Sequence, residues 1–588
     1  MKNIIYLFKK EYRIPKTEFL ERAHKSFSPV ERLLSTIFIV LLITSAAVLA
    51  YEVNALFLIE IPAPGGELKE GIIGSPRFIN PLLSSLSDKD TADRDLTTLI
   101  YSGLLKPASD GTLVPDLASK YEVSKDGLSY TFTIREDAEF HDGTPVLADD
   151  IIFTIQKAQD SALKSPKRAN WEGVTVEKKS ERIITLTLKQ PYAPFLENAT
   201  LGILPKHLWK DANAEQFPFS PFNINAVGSG PYKVERIKRN ASGTPYYFEL
   251  SSFKNYTFGA PYIKRISIYF YPNEKELLDG LARGEIDSIN TITPTAAKNL
   301  EEKDLRIERT PLPRIFAVFF NQNQSSLLSE KVVRKALELA TDKEKIVNTV
   351  LYGYGVPIET AVPPLLLKGE DAEATSTEVR IKEANAILDK ARWMRNTENG
   401  IRERFKDDKN KETQKLSFSL TTGDVPELRG TAELLKEMWG KIGIEVRTQI
   451  FEQGDLNQNV IRPRKYDALL FGEIVGRDLD LFAFWHSSQR NDPGLNIAMY
   501  TNSKVDKLLE EARSTTDEES RIANYTDAIV AIREDIPAIF LYSPEFIYVL
   551  PKKIQGFTLN RTTIPSERFL NVHHWYINTE RVWAIFTR

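Results

Sequence analysis

The feature that most constrains this chain is an uncharged, strongly apolar run near its N-terminus. Residues 33–51 contain no charged side chain over nineteen positions. An α-helix rises about 1.5 Å per residue, so a run of this length just spans a hydrocarbon core of roughly 30 Å. The run therefore predicts one transmembrane helix at residues 33–51.

The charges that flank this run predict its orientation. Eight Lys and Arg residues precede it, and none follows it until Lys69. The positive-inside rule places residues 1–32 in the cytoplasm and the chain beyond about residue 52 outside. A cleaved signal peptide is the alternative, because Val48, Leu49 and Ala50 resemble a cleavage site. We favour an uncleaved anchor, since the segment before the run and the run itself are both long for a signal peptide.

Length, charge and cysteine content exclude several classes of function. The 588 residues are enough for two to four domains, and the net charge of −3 argues against a nucleic-acid partner. The chain has no cysteine, which excludes disulfides, thiolate metal sites, cysteine nucleophiles and a lipid-modified N-terminal cysteine. We predict no cofactor and no metal site.

Hydrophobic periodicity indicates a mixture of strands and helices. Residues 130–134 and 184–188 alternate apolar and polar side chains, as half-buried strands do. Apolar positions recur at helical spacing in a second set of segments: 149–158, 331–340, 431–442, 505–513 and 519–533. A glycine then separates the helix at 431–442 from a strand at 444–446, as in α/β layers.

Two local features allow a structural or a functional interpretation. His141 has no partner at metal-ligand spacing, so we expect a hydrogen-bonded turn residue rather than a ligand or base. Residues 225–232 read NAVGSGPY and predict a tight turn. Alternatively, the glycines of this segment serve as a hinge between lobes.

Four blocks of sequence resemble the family 5 bacterial solute-binding proteins, in the family's order. They are LVPDLASKYEVSKDGLSYTFTIREDAEFHDGTPVLADDIIF (113–153), FNQNQSSLLSEKVVRKALELATDKEKIV (320–347), KYDALLFGEIVGRDLDLFAFWHSSQ (465–489) and NIAMYTNSKVDKLLEEAR (496–513). This family supplies the oligopeptide-, dipeptide- and nickel-type binding components of ABC importers. The resemblance covers residues 66–580.

The resemblance implies an α/β fold of the periplasmic-binding-protein type, of the large class with an extra subdomain. Two lobes enclose the ligand and close by hinge rotation. The implied parts are a cytoplasmic segment (1–32), an anchor (33–51), a linker (52–66), lobe I (67–110, 226–305 and 535–588), the subdomain (111–225) and lobe II (306–534).

The resemblance also implies the residues that hold the ligand. In peptide-binding members, an aspartate in the third block takes the peptide's α-amino group, and here the choice lies between Asp478 and, second, Asp480. The family usually has Asp-Pro in this segment, whereas this chain has Leu481 after Asp480.

Four further residues are predicted to line the cleft. Trp485 and His486 follow in the same block, and Trp485 is as well suited to a core as to a ligand contact. Family position adds Ser75 and Asn321. Together the predicted ligand-binding residues are Asp478, Asp480, Trp485, His486, Ser75 and Asn321.

The expected function is capture of peptides outside the cytoplasm and their delivery to an ABC permease and ATPase. We expect no enzymatic activity, because hydrolase motifs such as Gly-x-Ser-x-Gly and HExxH are absent from the sequence. Two alternatives stay open. One is another solute, such as a nickel chelate, haem, glutathione or an oligosaccharide. The other is a tethered peptide receptor or chaperone without transport.

Overall fold

The computed structural model of the chain describes residues 22, 25–85, 90–108, 110–303, 305–363, 376–407, 412–477, 480–559, 561–583 and 585. These residues form two compact units. The larger is Pro64–Ile577, and the smaller combines the described parts of residues 1–63 and 578–588. We keep the names lobe I, subdomain and lobe II for the predicted parts of the larger unit, whose boundaries stay predictions.

Helices predicted from periodicity are confirmed, with the bounds that follow. The longer helices are Pro29–Phe57, Thr91–Ile100, Ala148–Gln159, Glu274–Ala282, Pro294–Leu300, Lys331–Ala340, Lys343–Val350, Thr377–Lys390, Pro426–Lys441, Ser503–Ser514 and Glu518–Asp535. Short helical turns are Arg168–Trp171, Ala193–Thr200, Lys206–Trp209, Phe217–Phe219, Pro221–Asn223, Gln453–Asp455, Leu456–Ile461, Phe482–Trp485, Ser487–Gln489, Pro565–Phe569 and Val572–His574.

One sheet of twelve strands runs through the larger unit. Its order is Glu445–Phe451, Ser417–Gly423, Ala468–Ile474, Arg314–Phe320, Ala538–Leu550, Ser288–Asn290, Glu67–Ile73, Arg265–Tyr271, Pro245–Ser252 and Tyr232–Arg239. Arg306–Pro311 and Gly355–Pro357 also pair with Ala538–Leu550. This long strand pairs through its first residues with lobe II strands and through its last with Ser288–Asn290 of lobe I, so both lobes share it.

The subdomain has a sheet of its own. Its antiparallel order is Ala118–Val123, Ser129–Ile134, Ile183–Thr187 and Thr175–Ser180, which confirms both strands predicted from alternation. Gly127 and Gly143 adopt φ of 67° and 86° in the turns that flank this region, as Asp-Gly turns require. The remaining small sheets are Leu105–Pro107 with Leu113–Pro115, and Met394–Arg395 with Arg402–Asp407 and Glu412–Lys415.

The strand Arg314–Phe320 divides two hydrophobic cores of lobe II. Val318 and Phe320 belong to one core, whereas Ile315, Ala317 and Phe319 belong to the other. Successive side chains of a strand point to opposite faces, so this strand is buried on both sides. Its continuous apolar sequence, IFAVFF, follows from that position.

Two glycines in residues 225–232 allow this segment to pack closely against the backbone of another segment. The Gly230 amide donates to the carbonyl of Ile100 at 2.8 Å. A Cβ on Gly228 would lie 2.1 Å from that same carbonyl oxygen. Neither glycine has positive φ. The structure therefore explains these glycines by contact with the helix Thr91–Ile100, and the hinge interpretation is not needed for them.

His141 forms two hydrogen bonds with the same segment. Its Nδ1 accepts from the Gly228 amide at 3.3 Å, and its Nε2 lies 3.0 Å from the Gly230 carbonyl. Burial lowers the pKa of His141 to about 4. A neutral imidazole has one acceptor and one donor nitrogen, so both bonds are satisfied together. The expectation of a hydrogen-bonded structural residue is confirmed.

Lobe I is built around a buried charge cluster. Arg568 is fully buried and donates to Asp95 at 2.6 and 3.0 Å and to Glu70 at 2.9 Å. Glu70 also accepts from Tyr548 at 2.8 Å. The cluster thus joins the strand Glu67–Ile73 to segments hundreds of residues later.

The smaller unit differs from the expected linker. The apolar run lies in the helix Pro29–Phe57, which is long and apolar enough to cross a membrane, a test that a signal sequence also passes. Residues expected as a linker continue this helix and then form the strand Leu58–Ala63. That strand pairs with Asn578–Trp583, a segment that the sequence analysis places in lobe I. A strand partner about 500 residues away leaves no local trace in the sequence.

Arg568→Ala should lower the free energy of unfolding by about 3–5 kcal/mol, because it leaves two buried carboxylates without their counter-charge. Urea unfolding followed by circular dichroism measures the change. The matched control is Arg283→Ala, which removes an exposed pair with Glu285 and should change stability far less, because water screens that pair. Equal effects of the two substitutions would contradict the importance of the cluster.

Gly228→Ala should cost about 3 kcal/mol, because the backbone of Ile100 cannot make room for a methyl group. Gly440→Ala is the control, since nothing lies within 4 Å of its added Cβ. Gly440 lies in the helix Pro426–Lys441, so alanine there should stabilise the protein by up to about 1 kcal/mol. Thermal unfolding of both variants tests the contrast.

Candidate ligand-binding site

The segment that carries the predicted ligand aspartates begins at the end of a central strand. Ala468–Ile474 pairs antiparallel with Arg314–Phe320 and parallel with Ser417–Gly423. Its last residue, Ile474, lies opposite Arg314, and the Val475 amide then donates to the Pro313 carbonyl at 2.8 Å. The chain therefore leaves the sheet at this edge at Val475. We call residues 475–481 the candidate loop.

Arg477 of the candidate loop reaches both other parts of the larger unit. Its Nη2 donates to Glu567 of lobe I at 2.6 Å, and its Nε lies 3.5 Å from Glu197 of the subdomain. The Arg477 side chain is only 8% exposed. Its Nε and Nη1 make no hydrogen bond within the described residues. A buried guanidinium with spare donors can bond a ligand oxygen or a water.

Asp480 ends the candidate loop in a charged pair. Its carboxylate accepts from Arg513 Nε at 2.9 and 3.0 Å and from Nη2 at 2.6 Å. The hydroxyl of Tyr192, in the subdomain, donates to the same carboxylate at 3.3 Å, and the Phe482 amide donates at 3.2 Å. With these acceptor positions occupied, Asp480 has little capacity left for a ligand amine.

Asp478 and Leu479 lie outside the described residues. Asp478 therefore stays a prediction. Its neighbours in sequence on the described chain, Arg477 and Asp480, both make contacts between lobe II and the rest of the larger unit.

Trp485 is a core residue in the structure. Its side chain is 1% exposed and packs against Phe319, Tyr500 and Phe540, with ring centroids 5.8–6.3 Å apart. A ligand contact would need an exposed face. The structure thus favours the core alternative for this residue, because its position after the candidate loop turns the indole toward the sheet.

His486 is also buried and fully bonded. Its Nδ1 lies 2.7 Å from Ser488 Oγ, its Nε2 lies 3.2 Å from Glu510, and its ring stacks on Phe482 at 4.0 Å. The next residue, Ser487, donates from its amide and its hydroxyl to Asp506. These bonds connect His486 and Ser487, which follow the candidate loop in the sequence, to the helix Ser503–Ser514.

Ser75 and Asn321 are not brought to the candidate loop by any described contact. Ser75 Oγ donates to the Pro245 carbonyl at 2.7 Å. Asn321 is buried, and its side-chain amide donates to the Arg464 carbonyl at 2.8 Å. It follows Phe320, which pairs with Ala468, so it lies about 20 Å along the strand from the loop end. Asn321 caps its strand there, at the opposite end from the loop.

Glu473 is a buried carboxyl that the sequence interpretation missed. It lies one residue before the end of Ala468–Ile474, it is 6% exposed, and its Oε1 has no hydrogen-bond partner within the described chain. Burial raises the pKa of Glu473 well above its usual value. Burial therefore favours the protonated carboxyl over the carboxylate, because an isolated charge in this position would be costly.

A cavity of about 180 Å³ opens beside Glu567 of lobe I. Tyr101 and Lys106 line it, and the Tyr101 hydroxyl makes no hydrogen bond in the described structure. Burial lowers the pKa of Lys106 to about 8. The cavity thus offers polar groups of lobe I next to the carboxylate that Arg477 binds.

No cluster of three or more His, Cys, Asp or Glu side chains suited to a metal ion occurs among the described residues. His573 and His574 have ring centroids 4.0 Å apart, and burial lowers the pKa of both. Lys106 is a nearby positive charge that acts in the same direction.

Comparison with known proteins decides the family. Residues 112–494, well over half of the chain, match the bacterial extracellular solute-binding proteins, family 5. The chain belongs to this family. Members of the family are extracytoplasmic binding proteins rather than enzymes. The α/β solute-binding-protein fold predicted from the sequence is confirmed.

Individual relatives agree with this assignment. The oligopeptide-binding protein AppA of Bacillus subtilis is 30% identical over 524 residues, covering 88% of this chain and 92% of AppA. The structure of AppA in complex with a nonapeptide is 28% identical, with a TM-score of 0.65, and the match covers 88% of this chain and all of AppA. NikZ from Campylobacter jejuni in complex with Ni(L-His) is 27% identical, with a TM-score of 0.65, over 87% of this chain and 99% of NikZ.

Sequence inspection missed the ion-pair partners of the candidate loop. Arg477 stands in the same Gly-bounded stretch as the two aspartates, which is a signal that could have marked it. Glu197, Arg513 and Glu567 come from three distant segments, and only the fold brings them to the loop.

Glu473→Gln should show that this carboxyl is neutral in the folded protein. A group whose folded pKa is raised contributes stability below its unfolded pKa of about 4.5 and loses it as pH rises through the folded pKa. The wild-type protein should therefore lose stability relative to Glu473→Gln as pH rises from 5 to 9. Urea unfolding at several pH values measures the difference.

Glu433→Gln serves as the control for this titration. The Glu433 side chain is 58% exposed, so its replacement should change stability by no more than about 0.5 kcal/mol. If the difference between wild-type and Glu473→Gln stays constant with pH, the carboxyl of Glu473 is not held protonated by burial.

Proposed function

We propose that this protein is a membrane-tethered peptide-binding component of an ABC-type importer. Its domain outside the cytoplasm captures peptides between two lobes and delivers them to a membrane permease powered by an ATPase. Family membership and the similarity to AppA, which is described with a bound nonapeptide, support peptides as the ligand.

Asp478 is the proposed anchor for the peptide's α-amino group. The other aspartate of the candidate loop, Asp480, is already neutralised by Arg513, which leaves Asp478 as the better choice. A carboxylate that ligand binding removes from water gains from pairing with an ammonium group, and the gain exists only when ligand is present.

Arg477 is proposed to bond an oxygen of the peptide. Its Nε and Nη1 have no hydrogen-bond partner among the described residues, and Arg477 directly precedes Asp478 in the sequence. The carboxylates of Glu197 and Glu567 near its guanidinium disfavour a third anion, so a neutral carbonyl oxygen suits these donors better than a carboxylate. An extended peptide presents such carbonyls whatever its side chains are.

Ligand binding is coupled to lobe closure through the candidate loop. Arg477 contacts lobe I and the subdomain, and the Asp480–Arg513 pair contacts Tyr192 of the subdomain. A ligand held by Asp478 therefore binds where lobe II already meets the rest of the unit. Ligand contacts to both sides shift the population toward the closed form.

The N-terminal helix is proposed to remain as an uncleaved anchor. Residues 48–50, the alternative cleavage site, lie inside a helix that continues to Phe57. The strand that follows is paired with a strand from residues 578–583, which ties this segment to the folded chain. The absence of cysteine removes the lipid anchor that could replace it.

Native mass spectrometry of the full chain in detergent, followed by release and identification of the bound molecules, tests the ligand class. Peptides released from the protein would support the proposal. A nickel chelate, as NikZ binds in complex with L-histidine, or a sugar would overturn peptides as the ligand while leaving the family unchanged.

Asp478→Ala should weaken binding of peptides with a free amino terminus by about 2–5 kcal/mol, because one partner of a buried charge pair is lost. Isothermal titration calorimetry compares a peptide with its N-acetylated form. The acetylated peptide should bind wild-type protein and the variant with similar, weak affinity.

Asp480→Asn is the matched control within the same loop. It removes the pair with Arg513 but leaves Asp478 intact, so discrimination between free and acetylated peptides should persist. Unchanged affinity of Asp478→Ala for free peptides would show that the amine is held elsewhere. Loss of discrimination in Asp480→Asn alone would assign the anchor to Asp480.

A further inference from the structure

The smaller unit returns the chain to the end of the apolar helix. The strand Leu58–Ala63 follows the helix Pro29–Phe57 directly, and Asn578–Trp583 pairs with it antiparallel over six positions. In this register Ala63 lies opposite Asn578, and Leu58 lies opposite Trp583. The second strand therefore runs toward the helix as its residue numbers increase.

Trp583 contacts the last turns of the helix. Its ring stacks on Phe57 with centroids 6.1 Å apart, and its Nε1 donates to Asn54 at 2.7 Å. Trp583 and Phe57 are nevertheless 42% and 52% exposed, and Ile585 is 67% exposed. An indole and a phenyl ring are thus exposed together at one end of a two-stranded ladder, and an exposed isoleucine follows two residues later in the sequence.

Helix geometry places these side chains at the depth of lipid headgroups. If the uncharged run at 33–51 fills the hydrocarbon core, residues 52–57 extend about 9 Å beyond it. The headgroup layer on each side of a bilayer is roughly 5–8 Å thick. Asn54, which accepts from Trp583, is about 4–5 Å past the run and so lies within that layer.

We propose that the C-terminal strand Asn578–Trp583 is a membrane-interface element, with Trp583 and Ile585 inserted beside Phe57 into the headgroup layer of the bilayer. The inference rests on the proposed anchor. Trp residues are enriched at this depth because their rings are amphipathic. The position of the nearest ion pair in the ladder agrees with this insertion. Glu60 and Arg581, 3.1 Å apart, lie two ladder positions further from the helix than Trp583.

The ladder gives the larger unit two covalent connections to the membrane-bound segment. The helix alone would supply one connection, through the strand Leu58–Ala63. The ladder pairs six positions of that strand with Asn578–Trp583, so the connection after Ala63 and the connection before Asn578 start from the same end of the ladder.

Depth-dependent fluorescence quenching tests this proposal. The chain has no cysteine, so one introduced cysteine gives one labelled position. The full chain carries an environment-sensitive fluorophore at Trp583→Cys or Ile585→Cys, in phosphatidylcholine and phosphatidylglycerol vesicles. Both labels should lose fluorescence to a headgroup-region nitroxide lipid and resist aqueous iodide. The Ile585→Cys variant keeps Trp583 and its contacts with the helix. Its label therefore reports the depth of this segment even if Trp583→Cys disturbs the local structure.

Two control positions separate the possible failures. Ser45→Cys lies in the span and should be quenched by a nitroxide deep in the acyl chains, and Asn578→Cys at the far end of the ladder should be quenched by iodide. A lipid-quenched label at 45 with iodide-quenched labels at 583 and 585 would overturn this inference and leave the anchor standing. A label at 45 that no lipid quenches would overturn the anchor and this inference together. Peptide binding is measured separately by calorimetry.

Discussion

Two guanidinium groups position the candidate loop: Arg477 within the loop, and Arg513 of the helix Ser503–Ser514, which pairs with Asp480. Arg477 joins lobe II to Glu567 of lobe I and to Glu197 of the subdomain, and Arg513 holds Asp480 where Tyr192 contacts it. Each group is partly or wholly removed from water, so its charge is tolerated only because carboxylates from elsewhere in the fold compensate it. The loop that carries the proposed ligand aspartate is thus defined by its partners in the other lobe and the subdomain.

The rest of the architecture puts that loop in place. The strand Ala538–Leu550 belongs to both lobes, and the strand next to it, Arg314–Phe320, is buried on both faces. After the loop, Trp485 packs in a hydrophobic core of lobe II, and His486 hydrogen-bonds Glu510 of the helix Ser503–Ser514. These contacts position the described residues on the C-terminal side of the loop, and Asp478 stays the proposed ligand residue.

Sequence alone predicted the local elements well and the long-range contacts poorly. Alternation and helical spacing gave the strands near residues 130 and 184 and the main helices, because those patterns reflect burial within a single element. His141 was interpreted correctly, since its lack of ligand partners can be seen in the sequence. Asn321 was predicted at the cleft from family position, and His486 from its place in the third block, where Trp485 was as well suited to a core. In the structure Asn321 bonds the Arg464 carbonyl, Trp485 lies in a core and His486 contacts the helix Ser503–Ser514. The pairing of Leu58–Ala63 with Asn578–Trp583 and the carboxylate partners of Arg477 depend on the fold as a whole.

The central claim is that a peptide's amino terminus is held by Asp478 in the candidate loop. The most direct test is a crystal structure of the protein with a bound peptide. The account predicts that the peptide's ammonium nitrogen lies about 2.8 Å from a carboxylate oxygen of Asp478, the usual length of a charge-assisted hydrogen bond. It also predicts that Arg477 bonds a peptide carbonyl while keeping its pair with Glu567. A peptide whose amino terminus is bound by another residue, with Asp478 facing solvent, would contradict it.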